Sequence, residues 1–98
     1  MGLELSIDEQ TAQGRYSNLV VITHSSSEFV LDFASMLPAM PKAKVQSRII
    51  MTPEHAKRLM MTLQDNITRY ESSNGKIEVR MQPSTDEAMS MGFNVGEA

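Results

Sequence analysis

Leu19-Val20-Val21-Ile22 is apolar at four successive positions, and in a β-strand successive side chains point to opposite faces of the sheet. A sheet with one solvated face would show alternation here, so this strand is read as greasy on both sides. One face can be covered by a helix, and the chain carries one convincing helical segment. The second face then calls for another surface, most simply another copy of the chain or an apolar client.

The flanking residues extend the same pattern. Over Arg15 to His24, Tyr16, Asn18, Val20, Ile22 and His24 share one face and Ser17, Leu19, Val21 and Thr23 the other. Asn18, polar on an otherwise apolar strand face, is read as a register-setting hydrogen bonder at an interface. Ser25-Ser26-Ser27 is a polar reversal of hairpin length. Glu28 to Ala34 alternates, with Phe29, Leu31 and Phe33 opposite Glu28, Val30 and Asp32. Lys42 to Met51 sets Ala43, Val45, Ser47, Ile49 and Met51 against Lys44, Gln46, Arg48 and Ile50. Between these two runs, Pro38 and Pro41 exclude helix and central strand, leaving an apolar loop. Its Met36, Leu37 and Met40 are expected to pack on something. Upstream, Leu3, Leu5 and Ile7 alternate with Glu4 and Ser6, the signature of a half-buried strand, and Asp8 to Gly14 reads as a turn or short loop.

The helix begins at Thr52, a good N-cap, with Pro53 in the first turn, where its missing N–H costs nothing, and Glu54 at the positive end of the dipole. Ala56, Leu59, Met60, Leu63, Ile67 and Tyr70 recur at helical spacing as one apolar stripe, which Lys57, Arg58, Gln64, Asp65 and Arg69 largely avoid. Ser72-Ser73-Asn74-Gly75 supplies the stop. Lys76 to Met81 alternates weakly, as a short fifth strand or an extension of the helix edge. The expected fold class is therefore α+β: an antiparallel four-stranded meander followed by one long helix, ββββα, since short links between strands exclude parallel pairing. The expected organisation is a single domain over residues 1–82 and a flexible tail over 83–98, with Met89, Met91, Phe93 and Val95 as docking residues.

Several residue sets resemble a known family. Tyr16-Ser17-Asn18, Thr23-His24-Ser25, Glu28-Phe29-Val30-Leu31-Asp32-Phe33, Ala43-Lys44-Val45-Gln46-Ser47-Arg48-Ile49-Ile50 and Thr52-Pro53-Glu54-His55-Ala56-Lys57-Arg58-Leu59 look like a family of short bacterial proteins catalogued as a domain of unknown function, over about Gly14 to Glu71. That resemblance implies no activity. The element order also resembles the protomer of the SecB-type export chaperone, which implies an oligomer of antiparallel sheets and carries no binding residues.

Bulk properties narrow the function classes. The chain has 98 residues, 41% hydrophobic and 21% charged, as expected of one globular domain with a modest core. Nine Met and no Trp suit either core filling or an adaptable binding surface. The absence of Cys excludes disulfides and thiolate metal sites and fits a reducing cytoplasm. The N-terminal residues lack a signal-peptide pattern, and no apolar run is long enough to span a membrane.

Chemistry-bearing constellations are sparse. His24, Asp32 and His55 are the sharpest metal candidates, set against simple hydrogen-bonding roles. Ser25 to Ser27 beside His24 lack a nucleophile elbow and read as a turn. The five Gly are scattered, so no phosphate-cradling loop is present. No catalytic residue, cofactor or metal is expected, and an enzyme is disfavoured. Lys42, Lys44, Arg48, Lys57 and Arg58 form a basic group against the single acid Glu54 in that region. With no stacking aromatics and a net charge of −3, nucleic acid is the alternative partner and not the leading one. The leading expectation is a cytoplasmic, non-enzymatic, oligomeric protein-binding module, a holdase or adaptor of SecB type, pairing with itself as a homodimer or homotetramer and with protein clients. Its oligomer or client surface is assigned to Leu19, Val21, Met36, Leu37 and Met40.

Overall fold

A computed structural model describes residues 2–80. In chain order they form α1 (Glu9–Ala12), β1 (Leu19–His24), β2 (Phe29–Ser35), β3 (Lys44–Met51) and α2 (Pro53–Asn74). The three strands make one antiparallel sheet in the order β1-β2-β3. The α+β class and antiparallel meander agree with the sequence reading. The strand number does not.

Residues 3–7 form no strand, and Leu3 and Leu5 are 81% and 89% exposed. Alternation prepares a segment to lie on a sheet but provides no neighbour to bond with. The polar stretch that follows, read as a turn, contains the single turn of α1. It is closed by Gly14 at φ 80°, whose N–H donates to the Thr11 carbonyl at 3.0 Å. Nor are residues 76–80 a strand. Met81 and the tail residues Met89, Met91, Phe93 and Val95 lie outside the described residues.

Register fixes which side chains share a face. Val21, Asp32 and Arg48 stand in one row across the sheet, and Ile22, Leu31 and Ile49 in the next row on the opposite face. These rows match the alternation read from the sequence. An irregularity follows: Phe33 pairs with Ser47, but Ala34 pairs with Val45, so Gln46 is an extra residue in β3. Beyond it the parity of β3 reverses, and Val45 joins the row of Leu19 and Ala34 instead of the Ile49 face. Gln46 uses its freedom to donate from Nε2 to Ser35 Oγ at 2.9 Å.

β1 begins at Leu19, later than Arg15; Asn18 still donates its backbone N–H to the Ala34 carbonyl at 3.0 Å, but Ser17 and Asn18 also bond through their side chains. Asn18 Oδ1 accepts from the Met36 N–H at 2.7 Å while its Nδ2 donates to the Met36 carbonyl at 2.9 Å. Ser17 Oγ donates to the Ala34 carbonyl at 2.8 Å. At the other end of the hairpin Ser25 Oγ accepts from the N–H groups of Ser27 and Glu28. That is the turn role read for this serine run.

The helix is capped as its sequence dictates. Thr52 Oγ1 accepts from the His55 N–H at 3.3 Å, Pro53 opens the first turn, and Gly75 at φ 90° closes the last. Glu54–Arg58 and Asp65–Arg69 are i,i+4 ion pairs on its surface. No residue of α2 is buried, and among the described residues the element pairs in substantial contact are β1 with β2 and β2 with β3. The expectation that this helix blankets one sheet face is therefore not met within a single chain. The buried apolar core is Leu19, Leu31 and Ala34, at 6%, 6% and 2% exposure.

Candidate interaction surface

Capping and periodicity set the apolar stripe of α2 in a row, and beyond the half-buried Ala56 the structure leaves that row exposed. Leu59, Met60, Leu63, Ile67 and Tyr70 are all exposed, Leu63 by 55% and Tyr70 by 52%. Met61, off the stripe, is exposed as well. The sequence reading identified this stripe but assigned it to the core, because helix periodicity marks an apolar face without saying what meets it. The stripe exposes on the order of 500 Å² of side chain, at the upper end of what a typical monomer shows in one patch.

The residues assigned to the oligomer or client surface separate. Leu37 and Met40 are exposed in the loop between β2 and β3, Val21 and Met36 are half-buried, and Leu19 belongs to the small core. The loop turns at Leu37-Pro38-Ala39-Met40, where the Met40 N–H donates to the Leu37 carbonyl at 3.2 Å and Ala39 adopts φ 69°. Pro in the second position and a left-handed third position are the features of a type II turn, a place glycine usually takes. The turn holds Leu37 and Met40 together at one tip.

The basic group does not act as five free cations. Arg48 makes a two-pronged pair with Asp32 across the sheet, Nε to Oδ1 at 2.6 Å and Nη2 to Oδ2 at 2.9 Å. The Arg48 guanidinium holds the Asp32 carboxyl below the usual carboxylate range, partly opposed by burial, and is itself held more firmly protonated. Arg58 is engaged by Glu54 at 2.6 Å. Lys42, Lys44 and Lys57 are exposed.

His24 and Asp32 do not meet. Register puts Asp32 with Val21 and His24 with Phe29, on opposite faces, and the His24 ring stacks on Phe29 at 5.1 Å between centroids. Among the described residues no group of three His, Cys, Asp or Glu is placed to hold a metal ion. A shallow depression of about 610 Å³ opens between the α1 region and the sheet, bordered by Gln10, Thr11, Arg15, Phe33, Gln46 and Ser47. Its one cation, Arg15, reaches Gln46 Oε1 at 3.4 Å. No nucleophile with a base is assembled there, and the hollow has no signature in the sequence, because a single helical turn in a polar stretch carries no apolar periodicity. Among the described residues no helix is long and apolar enough to cross a membrane.

No curated protein and no solved structure matches the chain. A family model does. It covers residues 2–79, from the unpaired N-terminal segment through the end of α2, and so takes in more than the stretch Gly14 to Glu71 that carried the resemblance. The chain belongs to the family described as Protein of unknown function (DUF3467).

Proposed function

We propose that this chain is a non-enzymatic, self-assembling protein-binding module of the cytoplasm that holds apolar segments of other polypeptides, in the manner of a SecB-type holdase or adaptor. The observation that carries this reading is the stripe Leu59, Met60, Leu63, Ile67 and Tyr70, exposed along a well-capped helix that no other described element covers. Two methionines on and beside the stripe (Met60 and Met61) suit it to partners of varied shape, because the thioether chain repacks readily. Leu37 and Met40 at the loop tip add a second apolar contact. Self-association answers the small core, which by itself provides little burial to offset the chain entropy of ordering.

Protein is favoured over nucleic acid because Arg48 and Arg58 already face carboxylates, leaving three lysines without the stacking aromatics that single strands need. The test is suppression of aggregation of a chemically unfolded polypeptide by excess chain. Wild type keeps the client in solution. Leu63→Ser with Ile67→Ser removes at least half of that capacity while the sheet signal in circular dichroism persists. Aggregation at the control rate in the presence of wild type refutes the reading.

A further inference from the structure

Two features of the fold lack a counterpart, and they match each other. Residues 3–7 alternate Leu3, Leu5 and Ile7 with Glu4 and Ser6, adopt no helix, and leave all three apolar side chains in solvent. β1 is an edge strand whose alternate backbone groups point away from β2 and meet no other strand among the described residues. Edge strands are ordinarily guarded by lysine, proline or a bulge. β3 has such guards, Lys44 and the extra residue Gln46. β1, Leu-Val-Val-Ile-Thr-His, has none.

We propose that residues 3–7 of one copy add as a fourth strand to the free edge of β1 in a second copy, and that the exchange is reciprocal. This inference rests on the self-assembly part of the reading above and names its interface. The partner is a second chain and not the segment's own β1 because, within one chain, residues 3–7 pair with no strand and leave Leu3 and Leu5 81% and 89% exposed. Arg15 bonds Gln46 of β3, and Gln10 and Thr11 border the hollow over Phe33 and Ser47, so the residues that follow the segment lie on the β2–β3 side of the sheet. Reciprocal exchange covers on the order of 1,500 Å² in total, the size of a standard stable interface. It also makes the sheet of each unit four-stranded.

The absence of native cysteine permits a direct test. Chain carrying Leu5→Cys is mixed with chain carrying Val20→Cys or Val21→Cys and oxidised, with Val45→Cys on β3 as the comparison. The expected result is a mixed disulfide between different chains through β1 and little through β3, together with a dissociation constant at least tenfold weaker in Leu5→Pro. Three cross-linking outcomes overturn the proposal: a disulfide confined to one chain when both cysteines are placed in the same chain, preference for Val45, or no cross-link while wild type still self-associates. The last leaves self-assembly standing and removes only the exchange. A wild-type chain that stays monomeric at every concentration removes both.

Discussion

Replacing Asn18 with alanine deletes two hydrogen bonds at once, because one amide side chain serves both the N–H and the carbonyl of Met36. A neutral hydrogen bond contributes a net of about 0.5–1.5 kcal/mol. Asn18 is exposed, so water replaces part of what is lost, and the pair is worth about 1–2 kcal/mol. For a domain this small that corresponds to a fall of about 5–15 °C in Tm. Asn18→Asp discriminates the two contacts: a carboxylate still accepts from the Met36 N–H but repels the carbonyl that Nδ2 served. The assay is thermal unfolding at one fixed protein concentration, with amide hydrogen exchange read at Met36. The expected order of stability is wild type, then Asn18→Asp, then Asn18→Ala, with Met36 losing protection more than amides in the centre of β2. A change of under about 2 °C in Asn18→Ala, with Met36 protection intact, refutes the claim that this side chain anchors the start of β1.

Ala39→Gly removes a left-handed alanine, which costs about 1–2 kcal/mol, at an entropic cost of about 0.4–1 kcal/mol in the unfolded chain, so denaturant midpoints should rise or stay level; a clear drop contradicts the turn described for Leu37 to Met40. Asp32→Asn isolates the pair with Arg48. The Asp32 carboxyl titrates below its unfolded value near 3.8, so its stabilisation is complete above that value and is lost as pH falls through the lower folded one. The stability gap between wild type and variant should be flat near neutrality and close in strong acid, and a gap that widens on acidification argues against the pairing.

What the sequence made legible was local. The caps of α2 were readable because Thr52, Pro53 and Gly75 each meet a backbone requirement that few residues satisfy. Strands β2 and β3 were readable because alternation of period two has no helical counterpart, and β1 because Leu19 to Ile22 is a short unbroken apolar run before a polar reversal. Leu3 to Ile7 carried the same alternation yet stand alone, since the pattern encodes a face and not a bonding partner. Val45 was assigned to the wrong side because one extra residue at Gln46 inverts parity, and glutamine carries no signal of a bulge. The α2 stripe was correctly located, but the surface it meets was assumed, not encoded. Of the oligomer or client surface, Leu37 and Met40 came out exposed while Leu19 did not, because a strand residue's neighbours depend on tertiary packing.

Between the last residue of β3 and the first of α2 stands Thr52 alone. A rod of 22 residues, about 33 Å long, therefore turns on a pivot one residue wide. A swing of roughly 10° at that joint carries Asn74 through about 6 Å, a leverage that follows from the helix rise alone. Small twists of the third strand are thus magnified at the tip, so the conformation of Thr52, which is held by the His55 and Ala56 N–H groups, decides where the oily rod points.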